Sequence, residues 1–150
     1  MSIFLQCVIT FIACIAIGIH FNVKGKLLIY SALGGGVTFF VFRIFDPLGN
    51  VAIQSFLASI VASIYSEALA RIIKVPATTF LIISIIPLVP GSNLYYTMKH
   101  AIDNEMMNFL TSAINTLGIA GAIALGILLI SSAFRFVTVI RLPNKLKKRK

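Results

Sequence analysis

Long apolar stretches separated by short polar joints dominate the pattern of this sequence. A helix crosses the ~30 Å hydrocarbon core of a bilayer with about 20 apolar residues, and about five stretches here approach that length. The pattern therefore predicts an all-α integral membrane protein with about five transmembrane helices in one domain, residues 1–150. The predicted spans are residues 2–21, 27–42, 51–70, 77–100 and 109–136, followed by a basic tail at residues 141–150.

The fourth predicted span is broken where two prolines stand three residues apart. Pro87 and Pro90 have no backbone N–H to donate, and each ring clashes with the carbonyl group four residues earlier. The carbonyl oxygens of Ile83 and Ile86 therefore lose their helical partners. The helix is expected to end here and to change direction.

The residues after the second proline favour the start of a second half-helix. Gly91 allows the backbone dihedrals of a sharp turn, and Ser92 or Asn93 can cap the helix that follows. Unpaired backbone groups at membrane depth are tolerated only where protein buries them or where they line a water-filled cavity. The break is therefore a predicted binding site.

Polar side chains elsewhere in the sequence fall at a depth similar to that of the break. Such side chains are costly in lipid and tend to face the interior of a helix bundle. They lie early in the first, third and fifth predicted spans, at Gln6, Gln54, Ser55, Thr111 and Asn115. The predicted substrate-binding residues are Pro87, Pro90, Gly91, Ser92, Asn93, Gln54 and Asn115.

A broken membrane helix presents two partial charges to a ligand, each equivalent to about half an elementary charge. A small polar molecule with a carboxylate and an ammonium group suits this pair. The amide N–H groups of Ser92 and Asn93 would hold the carboxylate, and the carbonyl oxygens of Ile83 and Ile86 would hold the amine. The competing interpretation is a proline kink that only shapes helix packing.

Composition supports a membrane location. Hydrophobic residues make up 59% of the chain, charged residues 11%, and the mean hydropathy is +1.00. About a quarter of the residues in a soluble domain are charged, so a soluble domain is excluded. The net charge of +9 comes from short basic clusters between apolar stretches and at the C-terminus, which do not form a face for nucleic acid.

The distribution of basic residues predicts the orientation in the membrane. All of the 13 lysines and arginines except Arg43 and Lys99 fall on one side of the predicted layout. By the positive-inside rule, the N-terminus is expected outside and the C-terminus in the cytoplasm. The chain is therefore predicted to be a multi-pass protein of the cytoplasmic (inner) membrane.

Glu67 is the acidic residue that lies well inside an apolar stretch. A buried carboxylate can couple transport to proton movement, which makes Glu67 the candidate coupling residue. Arg71 follows four residues later, so an interfacial ion pair is the competing interpretation. The sequence shows no metal-ligand cluster and no catalytic constellation at recognisable spacing, so no enzyme, metal or cofactor is predicted.

Small residues recur at every fourth position in two of the spans. They are Ser55, Ser59 and Ser63 in the third span and Gly118, Ala122 and Gly126 in the fifth. Such stripes let helices approach one another closely. Helix partners, within the chain or outside it, are therefore expected.

The chain resembles the threonine/serine exporter family in the stretch from Ile86 to Met98, which reads IPLVPGSNLYYTM and is preceded by Pro76. Residues 21–23 (FNV) and 108–111 (NFLT) are also similar to that family. The resemblance covers nearly the whole chain and is closest to the small component, equivalent to the C-terminal half of the fused exporters. The residues that carry the motif are Pro87, Pro90, Gly91 and Ser92.

The resemblance implies an exporter of small hydroxy amino acids that is driven by the proton gradient and assembled from a small and a large membrane subunit. This chain lacks the larger half, so the expected partner is another polypeptide or a second copy. Some two-component relatives export dicarboxylates such as succinate, which is the alternative substrate class. A non-transporting, holin-like membrane oligomer is the alternative from a different class.

Overall fold

The structure is a computed structural model that describes the backbone of residues 2–147 and the side chains of residues 2–136. This part of the chain is helical and contains no β-strand, which confirms the predicted all-α class for it. Its α-helices are α1 Ile3–His20, α2 Lys26–Ile44, α3 Val51–Ile73, α4 Ala77–Ile85, α5 Gly91–Ile102 and α6 Met106–Lys147.

Four segments are long and apolar enough to cross a membrane. They are Ile3–His20, Lys26–Leu48, Val51–Ile73 and Met106–Phe136. A further candidate is the pair Ala77–Leu88 and Gly91–Ile102, whose two parts are bent by 57°. The described residues thus provide four spans, or five if the bent pair counts as one, in agreement with the predicted number of about five.

The helix ends follow local backbone chemistry. Asn50 caps α3, because its Oδ1 accepts an amide N–H of the first turn at 3.0 Å. The same helix ends at Lys74, which takes a left-handed conformation with φ 60°. Helix α6 begins at Met106 and its backbone stays helical to Lys147. The predicted basic tail, 141–150, is therefore helical up to Lys147, and its last three residues lie outside the described residues.

Small residues let the helices approach closely. Helix α1 packs on α2, α3 packs on α6, and α4 packs on both α2 and α3. The buried positions of α3 include Ser55, Ala58, Ser59, Ala62, Ser63 and Ser66. Gly126 of α6 contacts Ser59 so closely that a Cβ there would overlap Ser59 Oγ. The prediction of close helix packing is confirmed at this crossing, whereas Gly118 is exposed and has no neighbour within 4 Å of its Cβ position.

Two glycines of α2 let α1 and α4 pack directly against its backbone. A Cβ on Gly34 would overlap Ser84 Oγ of α4, and a Cβ on Gly35 would overlap Cys14 Sγ of α1. Because neither position has room for a side chain, the α2 backbone lies directly against its neighbours. This contact fixes the rotation of α4 and so positions the segment at its C-terminal end.

Candidate functional site

The helix break predicted from the two prolines is present. Helix α4 ends at Ile85, and Ile86–Leu88 form a single 3-10 turn. Val89 is extended, with φ −60° and ψ 125°, and Pro90 stands directly before α5. Since Pro87 and Pro90 cannot donate helical hydrogen bonds, the chain bends here by 57°.

The two carbonyl oxygens that the prolines leave without helical partners are both occupied within the chain. Cys14 Sγ lies 3.8 Å from the carbonyl oxygen of Ile83. That oxygen is also 3.5 Å from the Cβ position of Gly35, so it faces α1 and α2. The amide N–H of Val89 donates to the carbonyl oxygen of Ile86 at 3.1 Å. Each oxygen thus has a contact within the chain, contrary to the expectation that both are left without partners.

The N-terminus of α5 has no side-chain cap. Its N-cap position is Pro90 rather than Ser92 or Asn93, because the Pro90 carbonyl accepts the N–H of Leu94 at 3.0 Å. Ser92 and Asn93 lie in the first turn, where amide N–H groups have no acceptor within the helix. The partial positive charge of this helix end is therefore available to a ligand in front of it.

A cavity of about 150 Å³ lies beside the break. Helices α2, α3 and α6 and the break itself form its walls, through Phe42, Val51, Ser55, Pro87, Leu88, Val89, Pro90, Ser92, Asn93 and Ile119. Ser55 is fully buried, and its Oγ has no hydrogen-bond partner among the described residues. The uncapped end of α5 and Ser55, whose hydroxyl has no partner, thus line the same small space. We call it the break cavity.

A larger cavity of about 470 Å³ adjoins the break cavity. Both are lined by Val51, Asn93 and Ile119, so Asn93 lies where the two meet. Asn115 of α6 lines the larger cavity, opposite the start of α3. The two asparagines, predicted from different parts of the sequence, therefore both line the larger cavity. We call this larger cavity the outer cavity.

The structure places five of the seven predicted substrate-binding residues around these cavities: Pro87, Pro90, Ser92, Asn93 and Asn115. Gln54 is buried but lines neither cavity, and its Nε2 donates to the Asp46 carbonyl oxygen at 3.4 Å. Gly91 also lines neither cavity. It has no positive φ, so the turn is made by the 3-10 segment and Val89 rather than by glycine.

Glu67 lies about three helical turns from Ser55, toward the opposite end of α3. Its carboxylate is 3.9 Å from Arg71 Nη2, so the ion pair that the spacing suggested is present. Arg71 Nη2 also donates to the carbonyl oxygen of Phe134 at 3.1 Å, and the guanidinium lies 4.9 Å from the centre of the Phe134 ring. A coupling role for Glu67 stays a prediction.

Ser55 lines the break cavity but is not among the seven predicted substrate-binding residues. Its spacing with Ser59 and Ser63 predicts packing, and these two serines do bond to α3 carbonyl oxygens, at 2.7 and 2.8 Å. The available signal was the polar pair formed with Gln54 early in the third span, which indicates a polar environment at that depth. The pattern could not show which of the two side chains reaches the cavity.

Comparisons with known proteins identify a family. The family model described as "Threonine/Serine exporter, ThrE" matches residues 6–133, a range that contains the break and both cavities. No curated protein and no solved structure matches the chain. Among the residues that the structure describes, no group of three or more His, Cys, Asp or Glu side chains is placed to hold a metal ion.

Proposed function

The chain belongs to the threonine/serine exporter family, a family of transporters, and from that premise we propose that it is the small subunit of a two-component exporter of small hydroxy amino acids. The observation that carries the proposal is the break cavity, which is lined both by the uncapped end of α5 and by Ser55, whose buried hydroxyl has no partner among the described residues. Half-helix ends at a break hold small charged substrates in other transporters. The apolar helices make it a multi-pass membrane protein, which we assign to the cytoplasmic membrane.

In the proposed topology, α4 and α5 together cross the membrane once. The N-terminus then lies outside and the C-terminus in the cytoplasm, and only Arg43 and Lys99 of the basic residues lie on the outer side. A re-entrant α4 and α5 would place the basic C-terminus outside. Fusing the C-terminus to a fluorescent protein that folds only in the cytoplasm, or to a phosphatase active only outside, distinguishes the two layouts.

A partner is proposed to complete the site at the exposed side of α6. Asn115, Gly118 and Gly121 are exposed there although they lie inside the candidate span. A side-chain amide facing lipid is costly, and small residues favour close helix contact. The partner is a larger membrane subunit of the same exporter family or a second copy of this chain.

The proton gradient is the proposed energy source, with Glu67 as the coupling carboxylate. Glu67→Gln replaces the carboxylate by an amide and keeps the size of the side chain. In inside-out membrane vesicles, this variant is expected to lose threonine uptake driven by an imposed pH gradient but to keep threonine exchange. If uptake by the variant responds to the pH gradient as wild-type uptake does, Glu67 is not the coupling residue.

A dicarboxylate exporter is the alternative within the same class. A second carboxylate would call for fixed positive charge at the site. Arg43 pairs with Asp46 at 3.0 Å, Lys99 lies in the last turn of α5, and neither lines either cavity. The arrangement thus favours an amino acid over a dicarboxylate. A holin-like oligomer binds no substrate, so its function would not require a polar cavity at a helix break.

Efflux from loaded cells tests the proposal. Cells of the native organism are loaded with labelled threonine, serine or succinate, with the gene for this chain either intact or deleted. Deletion is expected to slow threonine and serine efflux and to leave succinate efflux unchanged, and restoring the gene is expected to reverse the loss. A selective change in succinate efflux would support the dicarboxylate alternative. Leakage of all solutes on overexpression, without a deletion effect, would support the holin-like one.

A further inference from the structure

Ser55 differs from the other buried serines that line the same helix. A serine inside a helix commonly satisfies its hydroxyl by bonding to the carbonyl oxygen of the preceding turn. Ser63 and Ser66 do so at 2.8 Å each. Ser55 is buried as completely, yet its Oγ makes no such bond and has no other partner among the described residues. A buried hydroxyl without a partner is unfavourable, so this one calls for an explanation.

The space in front of Ser55 contains a second set of hydrogen-bond donors. The break cavity is lined by Ser55 from α3 and by Ser92 and Asn93 from the first turn of α5. The amide N–H groups of that turn have no side-chain cap. Two amide donors, a hydroxyl and the positive end of a helix dipole all favour an anionic acceptor with two oxygens. A carboxylate has this chemistry.

The size of the break cavity fits the acid end of a small molecule. Its volume of about 150 Å³ corresponds to roughly five water molecules, since a water takes up about 30 Å³. The rest of an amino acid would extend into the outer cavity, which shares Asn93 with the first and carries the side-chain amide of Asn115. An amide oxygen there can accept a hydrogen bond from an ammonium or hydroxyl group.

We propose that Ser55 is a substrate-binding residue, and that its hydroxyl and the amide N–H groups of Ser92 and Asn93 together hold the carboxylate of the transported amino acid. The amine then lies toward Asn93 and Asn115, not at the carbonyl oxygen of Ile83, a residue that lines neither cavity. This inference rests on the proposed export function. It adds that the residues at the break bind the carboxylate of the substrate.

The test compares Ser55→Ala with Ser63→Ala in inside-out membrane vesicles from the native organism. Ser55→Ala is expected to raise the KM for threonine uptake about tenfold or more, because a hydrogen bond to a charged group is lost. Its thermal midpoint in detergent is expected to stay equal or rise, because the folded chain loses no internal bond. Ser63→Ala removes a formed bond, so a slightly lower midpoint with an unchanged KM is expected.

A substrate analogue shows which part of the substrate Ser55 contacts. L-Threoninol carries a CH2OH group in place of the carboxylate, so it should compete poorly with labelled threonine in the wild-type vesicles. The preference is measured as the ratio of the inhibition constant of threoninol to the KM for threonine. Ser55→Ala is expected to lower this ratio about tenfold, whereas Ser63→Ala leaves it unchanged. Should Ser55→Ala fail to reach the membrane, Ser55→Cys, with its weaker donor, is measured in its place and is expected to shift both quantities in the same direction.

The two possible failures are distinct. Wild-type vesicles that take up no threonine would overturn the proposed function and this inference with it. Wild-type uptake together with an unchanged KM and an unchanged threonine preference in Ser55→Ala would overturn the role of Ser55 alone. A lower midpoint in Ser55→Ala without a change in preference would likewise show that Ser55 serves packing.

Discussion

The thiol of Cys14 on α1 lies 3.8 Å from the carbonyl oxygen of Ile83 on α4, the oxygen that Pro87 deprives of its helical N–H. A thiol is a weak donor, and here it contacts the carbonyl oxygen of a residue that is buried. The contact also fixes which side of α4 faces α1 and α2. Ile83 itself lines neither the break cavity nor the outer cavity.

Cys14→Ala is expected to weaken the fold and to spare transport. Loss of the thiol removes this weak donor from the Ile83 carbonyl oxygen, which costs about 1 kcal/mol. The thermal midpoint in detergent should fall, while the KM for threonine stays unchanged because this oxygen does not line the cavity. Cys7→Ala, at a half-buried position of the same helix, is the matched control. A stable Cys14→Ala protein with a raised KM would place the Ile83 carbonyl in the site after all.

The three consecutive glycines of α2 are expected to respond differently to alanine. At Gly34 and Gly35 a Cβ would overlap Ser84 Oγ and Cys14 Sγ, so each substitution should destabilise the protein by about 1–3 kcal/mol. At Gly36 the nearest atom is 3.8 Å away, so the higher helix propensity of alanine should keep or raise stability. Thermal unfolding of the three variants in detergent measures the difference. Equal losses at all three positions would contradict the packing described for α4.

The place of the break could be predicted because it depends only on local chemistry. Pro87 and Pro90 lack the N–H groups that a helix needs, whatever surrounds them, and the structure breaks at that segment. The fate of the Ile83 carbonyl oxygen could not be predicted in the same way. It depends on the rotation of α4, which Gly35 and Cys14 fix from helices far away in the sequence.

For the individual site residues as well, the local sequence predicts part of the arrangement, and the packing of distant helices decides the rest. The adjacent polar residues Gln54 and Ser55 indicate a polar environment at one level of the third span. Only the packed helices show that Ser55 lines the cavity and that Gln54 donates to the Asp46 carbonyl oxygen instead. Similarly, Ser92 and Asn93 look like caps in the sequence. The structure puts Pro90 at the N-cap position, because the α5 helix begins one residue after it, and this helix end has no side-chain cap.

The exposed face of α6 gives a test of the proposed partner. Gly121 is exposed and has no atom within 4 Å of its Cβ position, so Gly121→Leu should leave the fold of the chain intact. If a partner helix packs there, the leucine should dissociate the complex, seen as a smaller particle by size-exclusion chromatography in mild detergent, and should abolish threonine efflux. Gly126→Ala is the contrasting control, because its Cβ would overlap Ser59 Oγ within the chain and should lower stability instead. A Gly121→Leu complex of unchanged size would argue against a partner on this face.

The loop between α5 and α6 should respond to pH through Glu105. Asn108 Nδ2 and His100 Nδ1 each lie 2.8 Å from its Oε2, and these bonds hold the pKa of Glu105 below its ordinary value of 4.5. A lowered pKa in the folded state means that the stabilisation is present above the ordinary value and is lost as the pH falls through the lowered one. Asn108→Ala should move the pKa of Glu105 back up, which NMR titration of its carboxyl carbon can measure. A titration unchanged by the substitution would contradict these contacts.

The most direct measurement for the central claim, that the helix break forms the substrate site, is threonine efflux by the Pro87→Ala/Pro90→Ala double variant in the native organism. The two alanines supply N–H groups for the carbonyl oxygens of Ile83 and Ile86, so the helix can continue and the end of α5 no longer faces the cavity. Pro76→Ala, at the N-cap of α4, is the control and should keep efflux. Efflux reduced to the level of the deletion strain, at a normal amount of protein in the membrane, is the predicted result. Wild-type efflux by the double variant would contradict the account.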